Sequence, residues 1–207
     1  MRLGLVADVH EDVENLHWAL ELFHSERVDQ IVFLGDAMVL GERIDETCRV
    51  LREAGVVGVW GNHELGLAYE PDARARAKYS PTVIDFMTTL KPRMEIGECH
   101  FSHVEPWLDP HDPAQINYYD GPPDSAEGLA RIFSTGTWRL HFGGHYHQWM
   151  LATLDGIQPW SGEHPVRLDQ GRYFVTIRAA CLGSCAVHDT DSHVLRPFTR
   201  SHLAPPR

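Results

Sequence analysis

Cysteine is scarce in this chain: Cys48, Cys99, Cys181 and Cys185 are the only 4 in 207 residues. No two of them have the Cys-x2-Cys spacing of thiolate zinc sites, and four are too few for a disulfide-dense secreted scaffold. Buried, reduced thiols are the expectation. Basic charge is also scarce, with Lys+Arg 18 against Asp+Glu 29, a net charge of -11 and a pI near 5.6. Polyanionic partners need clustered Lys and Arg, so no stable nucleic-acid binding and no anionic membrane partner are expected. Long apolar runs are missing too. The stretch Leu3 to Ala7 is broken by Asp8 and is shorter than a signal-peptide core, and no later run approaches membrane-spanning length. A soluble cytoplasmic protein is expected. Internal repeats and low-complexity segments are absent, and nothing in the sequence sets an oligomeric state.

What is present suits one globular domain. A chain of 207 residues with 43% hydrophobic content can bury one good core and hardly two. The expected domain runs over residues 1–199, with a loose tail at 200–207. Leu3 to Ala7, Ile31 to Leu34 and Val56 to Trp60 read as buried strands. Between them, Val13, Leu16, Leu20 and Phe23 recur at helical spacing behind the N-cap Asp12, and Ile44, Cys48 and Leu51 mark a helix stopped by Gly55. That order predicts a parallel β-α-β-α-β unit. Ser80-Pro81 opens a further helix, Met94 to Phe101 is a strand pair, Ser125 caps a short helix, and Trp138 to Phe142 is another strand. The remainder, Trp149 to Leu154, Tyr173 to Ile177, Ala186 to His188 and His193 to Phe198, reads as hairpins of a second sheet. An α/β half followed by a β-rich half predicts a four-layer α/β/β/α sandwich, two mixed sheets face to face with helices outside.

The strand ends carry the chemistry. Successive apolar runs finish in Asp8-Val9-His10, Gly35-Asp36, Gly61-Asn62-His63-Glu64, Ser102-His103 and Gly144-His145-Tyr146-His147. Each is ordinary turn or cap chemistry in isolation. Together they set metal-ligand residue types where open α/β sheets bind their ligands. The segment Glu105 to Asp124, with five prolines and Trp107, Tyr118 and Tyr119, is long for a compact domain and reads as a lid beside the pocket. Arg74, Arg76 and Lys78 read as a solvated face. His100, His141, His17 and His24 read as structural.

These motifs, in this order, resemble the five motifs of the calcineurin-like metallophosphoesterases. The resemblance spans residues 8 to 147 and implies one metal held by Asp8, His10, Asp36 and His147, and another by Asp36, Asn62, His103 and His145, with Asp36 bridging. It implies two divalent transition-metal ions, and the thiol-free ligand set suits Mn, Fe, Zn, Co or Ni alike. Such a pair, about 3.5 to 4 Å apart, lowers the pKa of a shared water and clamps the phosphoryl oxygens of an in-line displacement. His63 is then the general acid or oxyanion stabiliser, Asn62, His63, Tyr118 and Tyr119 are the substrate-binding candidates, and Glu64 supports the ligands from behind. The implied activity is hydrolysis of phosphomonoesters and phosphodiesters of small organic phosphates, nucleotides included.

Two departures bear on the alternatives. The protein Ser/Thr phosphatases of this superfamily place Arg where this chain has Leu40 and Trp60, which makes a protein phosphatase the second reading. Arg43 could stand in for one of them, but its place on a surface helix favours a solvated role. Val104 stands where the fourth motif has Gly. A non-catalytic scaffold is the third reading, opposed by the occupied ligand positions and by His63.

Overall fold

The computed structural model describes residues 1–200, and apart from Arg200 the expected tail lies outside them. The first half alternates strand and helix: β1 (Arg2–Val6), α1 (Val13–Ser25), β2 (Gln30–Phe33), α2 (Ile44–Glu53) and β3 (Val57–Gly58). The Asp12 side chain accepts the Asn15 N–H at 2.9 Å and so starts α1. At the end of α2, Gly55 takes a φ of 65° and its N–H returns to Arg52 O at 3.0 Å. Three shorter helices follow, α3 (Leu65–Ala68), α4 (Ala73–Lys78) and α5 (Pro81–Met87). Ser80 caps the last of them by accepting from Val83 N. Then come β4 (Met94–Ile96), β5 (Cys99–Phe101), α6 (Pro113–Ile116), α7 (Ala126–Thr135) and β6 (Leu140–Gly143). The chain closes with β7 (Met150–Thr153), β8 (Gly156–Ile157), β9 (Val166–Arg167), β10 (Tyr173–Thr176), β11 (Ser184–Asp189) and β12 (Val194–Thr199).

These strands form two six-stranded mixed sheets, ordered β3-β2-β1-β11-β12-β9 and β4-β5-β6-β10-β7-β8. The first three strands are parallel, as expected. The last hairpin is a correction: β11 and β12 belong to the first sheet, with Leu3 opposite His188 and Leu5 opposite Ala186. The cause is burial. Leu3 to Val6 are buried throughout, so β1 is a central strand and needs a neighbour on each edge. An alternating pattern marks a strand without marking its partner. The third strand is also shorter than the run Val56 to Trp60, since only Val57 and Gly58 are laddered and Val59 makes a lone bridge to Lys91.

Alternation sorts the core. Leu3, Leu5, Ala7, Val32 and Leu34 pack with Phe101, Phe142 and Val175 from the other sheet. Val6, Phe33 and Val187 face the opposite way, against Leu16, Phe23, Cys48 and Leu51 of the helices. On the far side Leu129, Ile132 and Phe133 of α7 cover Ala152 and Phe174. Cys48, Cys99 and Cys185 are buried free thiols, and Cys181 is half-buried. No described helix is long and apolar enough to cross a membrane.

Candidate metal centre

All five motifs lie just beyond strand ends, those after β1, β2 and β3 in one sheet and those after β5 and β6 in the other. Backbone bonds tie these ends together: Asp8 N to Gly35 O at 2.9 Å, His10 N to Asp36 O at 3.0 Å, and Gly144 N to His103 O at 3.0 Å. The turns are strained. Asp8, His10, Asp36, His145 and His147 all have φ between 46° and 71°, a left-handed conformation costing about 1 to 3 kcal/mol for such residues. Two glycines permit the crowding, because a Cβ on Gly35 would lie 2.6 Å from His103 Nδ1 and one on Gly61 would lie 2.1 Å from Asp36 Oδ1.

Asp36 sits at the centre and is almost wholly buried. Its Oδ2 stands 3.3 Å from His103 Nε2 and 3.9 Å from both His10 Nε2 and His63 Nε2. Its Oδ1 accepts the His63 N–H at 3.2 Å. On one side, His10 Nε2 and His147 Nε2 are 3.0 Å apart, and His147 Nε2 is 3.5 Å from Asp8 Oδ1. On the other, Asn62 Oδ1 lies 3.1 Å from both His103 Nε2 and His145 Nδ1. Among the described residues the potential ligand atoms fall into three overlapping groups: Asp8, His10, His147; His10, Asp36, His63; and Asp36, His103, His145.

This donor set fits divalent cations. Ligands held about 2.1 Å from one ion at right angles lie about 3 Å apart, the spacing seen here. The imidazoles are oriented from behind. His103 Nδ1 faces Leu34 O at 2.7 Å, His10 Nδ1 faces Met38 O at 3.1 Å, and His145 Nε2 faces Tyr118 O at 3.3 Å. Each carbonyl takes the proton of that ring nitrogen, so the other nitrogen turns a lone pair inward.

Two buried carboxylates hold the loops, and neither joins the ligand atoms. Glu64 accepts from Asp36 N and Gly61 N at 2.8 and 2.9 Å through Oε2, and from Met38 N at 3.1 Å through Oε1. Burial and the Asp36 charge together push its pKa up to about 7. Glu11 accepts from Val39 N, Gly41 N and Arg43 N at 2.8, 2.6 and 2.7 Å. The protein's own charges polarise the pocket. Burial opposes a charge on His103, but Asp36 outweighs it and raises the imidazole to about 10. Burial and the His103 charge push His145 down to about 4. Burial likewise opposes the Asp36 charge, and His103, His63 and His10 still hold that carboxyl below its ordinary range.

The remaining sequence candidates divide. His103 enters the cluster, whereas His100 pairs with His141 at 3.3 Å and stacks on Trp138. His17 and His24 are exposed on α1. Arg43 bonds to Glu14 and Glu46, at 2.8 and 3.0 Å. Tyr118 reaches the site through its carbonyl, with its ring 6.2 Å from that of Trp107, and the Tyr119 ring lies 5.7 Å from the His145 ring. Trp107, from the same segment, is half-buried beneath the Arg131 guanidinium, 3.7 Å from its ring centre. Sequence reasoning passed over Glu11, which reads as an acid at a helix start, and the Leu34, Met38 and Tyr118 carbonyls, which carry no residue-type signal. The cleft over the cluster is open, about 430 Å³, and lined by Val39, Asn62, His63, His145 and His147 among others.

The fold has solved counterparts. A metallophosphoesterase from Sphaerobacter thermophilus is 23% identical, with 96% of this chain and 87% of that one aligned at a TM-score of 0.76. An archaeal phosphodiesterase is 14% identical over 97% of this chain and 100% of its own, at a TM-score of 0.56. A putative diadenosine tetraphosphatase is 16% identical over 97% and 94% of the two chains, at 0.55. No curated protein shows a significant sequence match. The sequence profile of the calcineurin-like phosphoesterase superfamily domain matches residues 1–160, most of the chain, and the chain belongs to that superfamily.

Proposed function

We propose that this protein is a binuclear metal-dependent phosphoesterase acting on small organic phosphates, monoesters and diesters alike, with nucleotides among them. The observation that carries this reading is Asp36: one buried carboxylate shared by the His10, His63 group and the His103, His145 group. Asp8, His10, Asp36 and His147 would hold one cation, and Asp36, Asn62, His103 and His145 the other. Two such cations supply a water of lowered pKa and a clamp for phosphoryl oxygens.

The chain's own groups do the rest. The Leu34, Met38 and Tyr118 carbonyls keep three imidazoles in register, and Glu64 fixes the Asp36 and Gly61 backbone. The His63 side chain, about a third exposed, borders the cleft while the His63 backbone N–H anchors Asp36. That position supports His63 as the group that donates a proton to a departing ester oxygen. A phosphodiesterase and a putative diadenosine tetraphosphatase are among the structural neighbours, which supports small phosphoester and nucleotide substrates. The test is release of alcohol and phosphate from monoesters and nucleotides, and of alcohol and a monoester from diesters, by chelated protein reloaded with Mn, Fe, Zn, Co or Ni in turn. Turnover that appears with metal and vanishes with chelator is the expected result. A metal-loaded protein inert towards the whole panel would remove this reading and leave the protein-phosphatase and scaffold alternatives.

A further inference from the structure

Exposed apolar side chains are not spread evenly over this molecule. Among the described residues, large exposed apolar side chains adjoin in sequence at only two places, Val39-Leu40 and Tyr118-Tyr119. Both flank the metal cleft. Val39 lines it together with His63, and the Tyr119 ring lies beside His145.

The Val39-Leu40 turn is built, not loose. Glu11 is buried and lies beside His10, and its carboxylate accepts the Val39, Gly41 and Arg43 N–H groups at 2.6 to 2.8 Å. The preceding carbonyl, Met38 O, faces His10 Nδ1 at 3.1 Å. One short segment therefore orients a candidate ligand and fixes Val39, 46% exposed, in the cleft lining, with Leu40, 76% exposed, next to it in sequence. Chain solvation does not explain that arrangement. A rigid turn that holds an aliphatic group beside a cleft gains stability when something apolar covers it. The cleft floor, made of imidazoles, an amide and a carboxylate, suits the phosphoryl group. The rim suits what is esterified to it.

We infer that Val39 and Leu40 are specificity-determining residues that contact the organic arm of the substrate and select an apolar alkyl or aryl arm over a polyol. This inference rests on the phosphoesterase reading for the words substrate and ester, and on the geometry alone for the apolar contact.

Affinity of the Mn-loaded protein for alkylphosphonates of two to six carbons, measured by calorimetry, tests it without turnover. The dissociation constant should fall about two- to three-fold per added methylene, the partial burial expected at an open rim. A dihydroxypropyl arm should bind more weakly than a propyl one. In Val39→Ser/Leu40→Ser the dependence on chain length should flatten, with the hexyl advantage over ethyl cut about tenfold. Leu154→Ser, which alters an exposed leucine at the β7–β8 turn, should keep it. A flat wild-type series overturns the inference, as does a slope that survives the double substitution. So does a double variant whose only change, seen by sedimentation, is loss of a dimer. A normal slope in a protein that hydrolyses no phosphoester upholds the apolar contact and removes the phosphoesterase reading instead.

Discussion

Histidine serves two regions of this protein in opposite ways. Around Asp36, His103 is buried yet raised to about 10, because a carboxylate oxygen stands 3.3 Å from its Nε2. In the second sheet and beside it, His100 and His188 are buried, form no ion pair among the described residues, and fall to about 4 through burial before any other cause. His141 is driven down in the same way and meets Ser102 Oγ at 2.9 Å. Burial is common to both groups. His145, in the first group, also falls to about 4, and what sets His103 apart is its direct contact with a buried acid. A histidine count therefore says little about a site, and the position of the carboxylates says a great deal.

The comparison can be broken at several points. The largest expected effect is at His63. His63→Ala should lose about 10²- to 10⁴-fold in kcat/KM on alkyl or nucleoside phosphates, and clearly less on p-nitrophenyl esters, whose leaving group needs little protonation. Equal losses on both, with metal content intact, would make His63 a charge stabiliser. Next is Glu64. Glu64→Ala strands the Asp36, Gly61 and Met38 N–H groups in a buried place, at a cost of about 2 to 4 kcal/mol. For a chain of this size that lowers Tm by roughly 5 to 15 °C, and metal retention on dialysis should weaken with it. A Tm within about 2 °C of wild type would show that water replaces the carboxylate.

The smallest effect sharpens the other side. Both ring nitrogens of buried His188 lack a hydrogen-bond partner, so His188→Leu should stabilise the fold by about 1 kcal/mol at pH 8. The advantage should grow on acidification. His188 has a folded pKa of about 4, below the ordinary value of 6.5, so the unfolded chain takes up the proton first. Wild-type stability is then complete above pH 6.5 and declines as pH falls towards 4. Urea unfolding of both proteins at pH 8, 6 and 5 checks the sign. A gap that stays constant with pH would mean that His188 titrates normally.

Much of this was legible in the sequence, for physical reasons. Asp12, Ser80 and Ser125 declared their helices because a capping side chain acts within three residues. The five motifs declared themselves because a strand-end turn keeps its ligand types close in sequence. Partnership over long distance was less legible. The β11–β12 hairpin carried the right alternation and was assigned to the wrong sheet, since only the buried edge of β1 decides where it docks. Two-residue strands such as β8 and β9 are too short for any period. Trp107 offered an aromatic ring for stacking, and Arg131 of α7 stacks on it instead. The support shell was the least legible part. A carbonyl looks alike in every residue, and Glu11 is distinguished only by a turn that begins 28 residues later.

The central claim is that one buried carboxylate organises two cations, and metal content tests it most directly. Chelated protein loaded with Mn and freed of excess should carry two ions per chain by elemental analysis. Asp36→Asn should reduce occupancy at both sites, while His10→Ala should reduce it at one. A stoichiometry of one or less in the loaded wild-type protein, or an Asp36→Asn variant that keeps both ions, would contradict the account.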